Sequence, residues 1–406
     1  MDLAILRLKK NEERRLRAGH VWIFSNEIDT QATPLKSFSA GEEVLIAAHD
    51  KSILGIAYVN PNSLISARLI SSDAQDRLDQ TLIVNRMRTA LDWREHIYSE
   101  PYYRMIFGES DGLPGLVVDR FGDHLAVQIN TVGMEVKKDI LVEALQEVLP
   151  DIKSILFRND SGARLQEGLT QYVEAGFGTP PERVLIKENG VSFYAPLWQG
   201  QKTGWFYDHR LNRSRLKEYV ADKRVLDVFS YLGGWGIQAA QFGAKEVVCL
   251  DSSALATAAI QENADLNNVS EKVKIICDDA FVGLKNLNQT QEKFDVIILD
   301  PPAFVKKFKD KKEGLLAYQR INEMALKLLT PGGLLFSCSC SMHVAEKDLL
   351  QAIRRASLLV KCELQIIEKG HQAPDHPVHL AIPETDYLKM IVVRMVQANK
   401  IIKGRR

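Results

Sequence analysis

Asp300 and the residues after it form the first group that could take part in a reaction. A hydrophobic stretch ends at this acid, and Pro301, Pro302, Ala303 and Phe304 follow directly. Two prolines make the exit of a strand rigid, so Asp300 and the nearby carbonyls can serve as fixed hydrogen-bond acceptors. An aromatic side chain two residues further on can stack on a flipped nucleobase. The alternative is an ordinary Pro-Pro turn beside a core phenylalanine.

A thiol is the second candidate. The predicted strand 333–337 leads into Cys338 and Cys340, which alternate in direction with Ser339. Cys340 comes later and is therefore nearer the carboxyl edge of the sheet, where ligands bind. Carbon 5 of a pyrimidine is a poor nucleophile, and thiolate addition at carbon 6 activates it for methylation. Cysteines are also common small core residues, which is our interpretation of Cys338 and of Cys249, Cys277 and Cys362.

A glycine-rich bend predicts the cofactor. It follows a buried strand, 224–228, and opens a helix, so the backbone can approach a ligand closely at the sheet edge. The next two strands end in acids, which can bind the hydroxyls of a ribose and an adenine amino group. The cofactor residues predicted from this pattern are Asp227, Phe229, Gly233, Gly234, Asp251, Asp278 and Asp279.

The same bend admits a second interpretation. Gly234, Gly236 and Ala239 fit the dinucleotide fingerprint, with Asp251 as its ribose acid. In that fingerprint the first glycine closes the strand, whereas here several residues separate strand and glycines. Asp227 would also repel a pyrophosphate, but it suits a cationic cofactor. We therefore predict S-adenosylmethionine. One alternative is a nicotinamide or flavin cofactor. The other is that the bend only turns the chain and binds no ligand.

The elements that position these residues alternate between strand and helix from about residue 198 onward. This rhythm predicts a mainly parallel sheet with crossover helices, and thus an α/β fold. Its predicted strands are 224–228, 246–250, 274–277, 294–299, 333–337 and 364–367. The end departs from the rhythm, and we predict a final strand pair, 380–382 with 388–395, around Pro383.

The preceding residues predict two smaller domains. Residues 1–73 are β-rich, with a basic, helix-capable stretch at 9–17, and a connecting helix follows at 76–98. The segment to residue 197 mixes strands and helices, and its Asn189-Gly190 pair predicts a two-residue hairpin. We therefore expect domains at 1–73, 76–197 and 198–396.

Composition limits the function classes. The 406 residues exceed one ordinary core, and 52 basic and 52 acidic residues give no net charge. A neutral chain neither supports nor excludes nucleic-acid binding. No apolar run approaches the roughly 20 residues that span a bilayer. The five cysteines are scattered without a CxxC pair. We therefore expect no membrane segment, no metal site and a cytoplasmic location.

Several further motifs accompany the acid, the thiol and the glycine bend. They are Gly19-His20-x-Trp22-x-Phe24-Ser25, the run 108–115, Lys202-Thr203-Gly204-Trp205-Phe206-x-Asp208-x-Arg210, His376-Pro377-Val378 and Tyr387-Leu388-Lys389. Together with Asp300-Pro-Pro-x-Phe304 and Ser339-Cys340-Ser341, they resemble bacterial large-subunit ribosomal RNA cytosine-C5 methyltransferases with an N-terminal PUA domain. The resemblance covers nearly the whole chain. Cys338, an extra thiol, and Met342, where a small residue is common, depart from the pattern.

This resemblance implies a Rossmann-like class I methyltransferase sheet at the C-terminus, an N-terminal β-rich PUA-like domain and a central α+β domain. It implies methyl transfer from S-adenosylmethionine to cytosine C5 in ribosomal RNA. Cys340 would be the nucleophile, and Asp300 would lie against the base. Further assignments are the cofactor contacts Thr203, Phe206, Asp208 and Arg210 and the substrate contacts Pro301, Pro302, Phe304 and Lys202.

Two other functions remain open from the residues alone. Methylation of an exocyclic amino group would use the Asp-Pro-Pro-Ala-Phe motif without a thiol. A non-catalytic RNA-binding protein would retain only cofactor affinity. The resemblance also implies RNA contact by the N-terminal domain, and a homodimer is compatible with it. Residues that could contact phosphates, or simply form a solvated face, are Lys9, Lys10, Arg14, Arg15 and Arg17. A lysine-rich loop at 306–312 could close on RNA or be disordered.

Overall fold

The computed structural model describes residues 3–398, and these form two compact units. Unit 1 contains the chain up to Ile186 together with Ala195–Tyr207 and Pro374–Thr385. Unit 2 contains Lys187–Tyr194, Asp208–Ala373 and the chain from Asp386 onward. No helix within 3–398 is both long enough and apolar enough to cross a membrane.

The first sheet of unit 1 has five strands in the order β1-β3-β4-β5-β2. Its elements are β1 (Ala4–Arg7), α1 (Glu13–Arg17), β2 (Trp22–Phe24), β3 (Glu43–Ala47), β4 (Ile53–Val59) and β5 (Ile65–Ser71). The predicted β-rich character of residues 1–73 is confirmed. The predicted helix at 9–17 is shorter than expected, because Asn11 has a φ of 72° and the helix begins only after it.

The second sheet of unit 1 has the order β10-β9-β8-β7-β6. Its elements are α2 (Gln80–Ile97), β6 (Tyr102–Phe107), β7 (Leu116–Phe121), β8 (His124–Ile129), α3 (Val132–Glu135), α4 (Lys138–Val148), β9 (Ser154–Asn159), α5 (Gly162–Gln166) and β10 (Tyr172–Gly178). The connecting helix α2 begins later than predicted because Asp79 caps it, accepting from the Leu82 amide at 2.9 Å.

The two sheets of unit 1 share a core. Ile56 and Tyr58 of the first sheet belong to the same buried cluster as Met105 and Val127 of the second. The Tyr58 hydroxyl is also hydrogen-bonded to the Thr131 hydroxyl at 3.0 Å. Residues 1–73 and the segment after them are therefore packed together in this unit.

A hairpin joins strands β11 (Arg183–Glu188) and β12 (Val191–Pro196) into a separate two-stranded sheet. Asn189 and Gly190 have φ values of 56° and 82°. A type I′ turn requires positive φ at both central positions, which Asn-Gly tolerates well. The sequence-based hairpin prediction is confirmed.

The main sheet of unit 2 has seven strands in the order β15-β14-β13-β16-β17-β19-β18. The elements are α6 (Arg210–Ser214), β13 (Arg224–Val228), α7 (Gly236–Gln241), β14 (Glu246–Asp251), α8 (Ala254–Leu266), β15 (Val273–Cys277), α9 (Ala280–Gln289), β16 (Phe294–Leu299), α10 (Lys311–Leu328), β17 (Leu329–Ser339), α11 (Glu346–Val360), β18 (Cys362–Gly370) and β19 (Lys389–Ala398). Strands β13–β17 are parallel, and β19 is antiparallel to both β17 and β18. The predicted α/β fold is confirmed.

The strand order reverses at β13, which lies between β14 and β16. Open α/β sheets bind ligands beyond the carboxyl ends of the strands at such a switch point. The glycine bend follows β13, and Asp300 follows β16, so both lie at this edge.

The predicted final strand pair is wrong. Residues 380–382 are not a strand, and Pro383–Thr385 is a single 3-10 turn. Proline lacks the N–H that a ladder needs. Strand β19 instead inserts between β17 and β18, where Ile391 and Val393 are buried in the sheet core. The 306–312 segment is not one loop either, since Phe308–Asp310 forms a 3-10 turn that leads into α10.

Candidate cofactor and reaction site

The bend after β13 has a strained backbone. Phe229, Tyr231 and Gly233 have φ values of 67°, 50° and 80°. Positive φ is uncommon for residues other than glycine, and such conformations cluster at ligand sites. A Cβ atom on Gly233 would lie 2.8 Å from Ile237 Cγ1, so both space and conformation require glycine here. Gly234 is buried in the same bend.

Asp227 is fully buried under this bend. Its Oδ2 accepts the Gly236 amide at 2.9 Å, and Oδ1 has no hydrogen-bond partner among the residues described. Burial, together with the charges of Asp300 and Asp251, raises the pKa of Asp227 to about 7. The carboxyl group therefore anchors the start of α7 and carries an oxygen with unused acceptor capacity.

Asp251 ends β14 and faces the same bend. Its two oxygens accept the amides of Tyr231 and Ser253, each at 2.9 Å. Each carboxylate oxygen has two lone pairs, so both can accept a further hydrogen bond. Asp251 therefore retains the capacity to bind the two hydroxyls of a ribose.

The acids after β15 differ in their contacts. Asp279 caps α9, because its Oδ1 accepts the amides of Phe281 and Val282 at 2.9 and 3.2 Å. Asp278 Oδ1 accepts the amide of Asp279, and its Oδ2 lies 3.4 Å from Asn286 Nδ2. The cap occupies one oxygen of Asp279, and both oxygens of Asp278 have a contact, so these contacts do not choose between the two acids as acceptors for an adenine amino group.

Asp300 is held by two side chains that sequence reasoning missed. Its Oδ2 accepts from Trp235 Nε1 at 3.0 Å, and its Oδ1 lies 3.1 Å from His209 Nε2. Burial opposes ionisation, yet His209 and the Trp235 hydrogen bond lower the pKa of Asp300. Asp300 is thus a fixed anionic acceptor. His209 stands at the unassigned position between Asp208 and Arg210, so its place in the motif was the available signal.

Cys340 lies one residue beyond the end of β17. The buried Cys338 is still within the strand, whereas Cys340 is partly exposed. Its Sγ lies 3.8 Å from the Pro301 carbonyl oxygen. The structure therefore brings the thiol and the Asp-Pro-Pro-Ala-Phe segment together.

Tyr318 holds the turn that carries Cys340. The Tyr318 hydroxyl is 2.9 Å from both the Ser339 and the Ser341 hydroxyls. Ser341 Oγ also accepts the Val305 amide at 3.2 Å. One buried phenol from α10 thereby joins the residues that flank the thiol to the segment after Asp300. Sequence reasoning did not identify it, because nothing local marks it.

The substrate residues predicted after Asp300 differ in exposure. Pro301 is buried, Pro302 is exposed, and Phe304 is partly exposed. The Phe304 ring centroid lies 4.8 Å from that of Tyr318 and 6.4 Å from that of Phe229. Phe304 is therefore a member of an aromatic cluster and is not fully buried.

The 202–210 motif is divided between the two units. In unit 1, Lys202 Nζ lies 4.9 Å from the Phe206 ring centroid, and the buried Thr203 donates its hydroxyl to Asp119.

In unit 2, Asp208 accepts from the Tyr387 hydroxyl, and Arg210 Nε lies 3.8 Å from Glu188 Oε2. The contacts of Thr203, Asp208 and Arg210 thus include partners within their own units.

One trio of possible metal ligands occurs in the described part of the chain. Donor atoms of His209, Asp300 and Cys338 lie within 4.8 Å of one another. The hydrogen bond between His209 and Asp300 explains their proximity. Burial raises the pKa of the Cys338 thiol, and metals bind the thiolate. We therefore keep the absence of a metal site as a prediction.

Comparison with known proteins decides the family. The sequence profile of the S-adenosylmethionine-dependent methyltransferases matches residues 170–387. The chain belongs to this family. S-adenosylmethionine is accordingly its cofactor, which resolves the choice against the nicotinamide and flavin alternatives. A PUA-like domain profile matches residues 6–72, which confirms the predicted character of the N-terminal sheet.

Two relatives in this methyltransferase family cover almost the whole chain. Ribosomal RNA large subunit methyltransferase I of Aliivibrio fischeri (strain MJ11) is 37% identical over 394 residues, 96% of this chain and 98% of the relative. The protein of the same name from Aeromonas salmonicida (strain A449) is 37% identical over 393 residues, 95% of this chain and 98% of its own.

Solved structures share the fold. A proposed methyltransferase complexed with SAH has a TM-score of 0.83 at 21% identity, covering 97% of this chain and 100% of its own. A proposed S-adenosylmethionine-dependent methyltransferase from Streptococcus mutans has a TM-score of 0.82 at 22% identity, with the same coverage. At this identity the likeness supports the fold of the methyltransferase and no finer property.

Proposed function

We propose that this methyltransferase modifies carbon 5 of a cytosine in large-subunit ribosomal RNA, with Cys340 as a covalent nucleophile. The observation that carries the proposal is the partly exposed Cys340 thiol beside the Pro301 carbonyl, at the sheet edge that also bears Asp300. The relatives named for ribosomal RNA and the PUA-like match support an RNA substrate. We place this activity in the cytoplasm.

The bond changes balance without an oxidant or a metal. The Cys340 thiolate forms a bond to carbon 6, and the electron pair of the ring double bond makes carbon 5 nucleophilic. When bound, S-adenosylmethionine would supply the methyl group that carbon 5 takes up, and the electron pair of the broken sulfur–methyl bond would leave with S-adenosylhomocysteine. Loss of the carbon 5 proton to a base then returns the electron pair, and the bond between Sγ and carbon 6 breaks. The enzyme recovers its thiolate.

Asp300 would explain why the enzyme selects cytosine over uracil. An anionic acceptor can receive a hydrogen bond from the cytosine amino group, whereas the uracil carbonyl at that position would be repelled. The hydrogen bonds from Trp235 and His209 hold the Asp300 carboxylate in one orientation. We assign Pro301, Pro302, Phe304 and Lys202 to substrate contact as well.

The cofactor assignments follow the same edge. In the proposed arrangement Asp251 accepts from the ribose hydroxyls, and one of the two acids after β15, Asp278 or Asp279, accepts from the adenine amino group. Gly233 and Gly234 allow close approach of the backbone, and Asp227 holds the bend in place. The remaining proposed contacts are Phe229, Asp279, Thr203, Phe206, Asp208 and Arg210. The three-domain division and the homodimer also stay predictions.

The decisive test compares two neighbouring thiols. Cys340→Ala should abolish methylation of ribosomal RNA and leave S-adenosylmethionine binding intact. Cys338→Ala is the matched control, and it should alter activity only modestly because this thiol is buried in β17. RNA that carries 5-fluorocytosine at the target should trap the wild-type enzyme, since fluorine blocks the proton loss that precedes release.

Three outcomes would contradict the proposal. A Cys340→Ala enzyme that still methylates cytosine C5, or an adduct that maps to Cys338, would refute the assigned nucleophile. A methyl group found on an exocyclic nitrogen by nucleoside mass spectrometry would replace the reaction with amino-group methylation. RNA and cofactor binding without any turnover would identify a non-catalytic RNA-binding protein.

A further inference from the structure

Lys389 places an ammonium group inside unit 2, next to the turn that carries Cys340. It is the first residue of β19 and pairs in register with Ser339, the residue before the thiol. Its Nζ donates to the Ser341 carbonyl at 2.8 Å and to the Tyr387 carbonyl at 2.7 Å. The side chain therefore reaches the residue directly after Cys340, and the residue as a whole is only 8% exposed.

A buried lysine is costly unless it has an anionic partner. Within residues 3–398, no carboxylate lies within 4.0 Å of this ammonium, and its two hydrogen bonds are to neutral carbonyls. An ammonium carries three donors, so one remains for a further acceptor. The Lys389 ammonium can therefore still bind an anionic group.

Among the anionic groups near Lys389, the thiolate of Cys340 is the best candidate to pair with its ammonium. Burial lowers the pKa of the Lys389 ammonium, while Asp386, Cys340 and Asp348 act in the opposite direction. Asp348 already forms an ion pair with Lys311 Nζ at 2.7 Å, and Asp386 is exposed to solvent.

Two of the groups near the thiol do not favour its ionisation. Asp300, after the neighbouring strand β16, carries a negative charge that disfavours a second anion, although His209 offsets part of it. Burial raises the pKa of Tyr318 to about 12, so this phenol stays neutral at physiological pH. The Lys389 ammonium, which is hydrogen-bonded to the residue after Cys340, carries the charge that would offset Asp300.

We propose that Lys389 is a positioning residue for the nucleophile, whose ammonium stabilises the Cys340 thiolate before RNA arrives. The thiol proton leaves to solvent, and the ammonium keeps its own three protons throughout. The two carbonyl hydrogen bonds fix the charge at the turn, so it is available without reorganisation. This inference rests on the nucleophilic role proposed for Cys340.

The test measures the thiol without RNA. In full-length protein with Cys338→Ala as background, alkylation of Cys340 by iodoacetamide is followed against pH by mass spectrometry of its peptide. Lys389→Met should slow alkylation at neutral pH roughly tenfold, as expected for a rise of one unit in the pKa of Cys340. The rate at alkaline pH, where every thiol is ionised, should be unchanged. Lys389→Arg should restore most of the neutral-pH rate.

Lys347→Met is the matched control, because this lysine is exposed on α11 and should leave the profile unchanged. Identical pH profiles for wild type and Lys389→Met would overturn the inference, as would equal slowing in Lys389→Arg and Lys389→Met. If a variant does not fold, the pH profile of Cys340 alkylation in the wild-type protein still tests the inference. A midpoint of that profile at or above about 8.5, the ordinary pKa of a thiol, would overturn the inference.

RNA methylation separates this inference from the proposed function. Lys389→Met should reduce kcat, with the loss shrinking as pH rises, and leave the affinity for S-adenosylmethionine unchanged. A pH-independent loss would refute the electrostatic role. Full activity of Cys340→Ala would refute the proposed nucleophile, while the alkylation result on Lys389 would stand unaffected.

Discussion

Replacing Asp227 with asparagine should remove a pH-dependent loss of stability. The carboxyl group is buried, and its pKa is raised from 3.8 to about 7. The folded protein therefore holds a proton that the unfolded chain releases between these two values. Stability from this group is full below about pH 4, falls as pH rises, and becomes constant above about pH 7.

The magnitude follows from the two pKa values of Asp227. Their difference, 7 minus 3.8, multiplied by 1.36 kcal/mol for each pKa unit, is about 4 kcal/mol. Local rearrangement or entry of water would lower this figure, so it is an upper value. Asparagine keeps an oxygen that can accept the Gly236 amide and does not ionise. The variant should therefore gain stability relative to wild type as pH rises.

Urea unfolding followed by tryptophan fluorescence, at several pH values from about 4 to 8, measures this difference. Exposed Glu271→Gln is the control, and its difference from wild type should not change with pH. A difference between Asp227→Asn and wild type that is constant over this range would refute the reasoning. A relative gain of the wild type with rising pH would refute it equally.

Three further predictions address the site and the RNA. Asp251→Ala should weaken S-adenosylmethionine binding by about 1.5–3 kcal/mol in calorimetry, because charge-assisted hydrogen bonds to the ribose are lost; unchanged affinity in a folded variant would exclude the assignment. Tyr318→Phe should lower the melting temperature and reduce methylation, because the serines beside Cys340 lose a shared buried partner; unchanged activity would show that the turn holds itself. Joint replacement of the exposed Lys10 and Arg14 by glutamine should weaken RNA binding and reduce its salt dependence; an unaltered salt slope would show that neither contacts phosphate.

Removal of residues 1–73 would be a simpler test of RNA binding than the substitutions of Lys10 and Arg14. The shared core of unit 1 argues against this truncation, because it would expose the partners of Ile56 and Tyr58. Loss of RNA binding in such a protein would then report misfolding as readily as a missing contact. Sequence patterns that predicted a separate domain could not reveal this packing.

Local physics made much of the fold predictable. Strand–helix alternation indicated the parallel sheet, and Asn189-Gly190 indicated a hairpin, because the conformations involved depend on neighbouring residues. The prediction failed at the end of the chain, where β19 could pair with 380–382 or insert between β17 and β18. That choice depends on partners far away in sequence.

The candidate site divides in the same way. Position at the carboxyl ends of successive strands was enough to select Asp227, Asp251, Asp300 and Cys340, since parallel strands present their ends at one edge. The distant side chains that contact this edge were not predictable. His209 meets Asp300 across 91 residues of sequence, and Lys389 meets Ser341 across 48. The sequence thus determined which reactive groups the edge carries. Only tertiary structure decided the ionisation of Asp227 and Asp300, because burial and neighbouring charges arise from side chains that folding brings together.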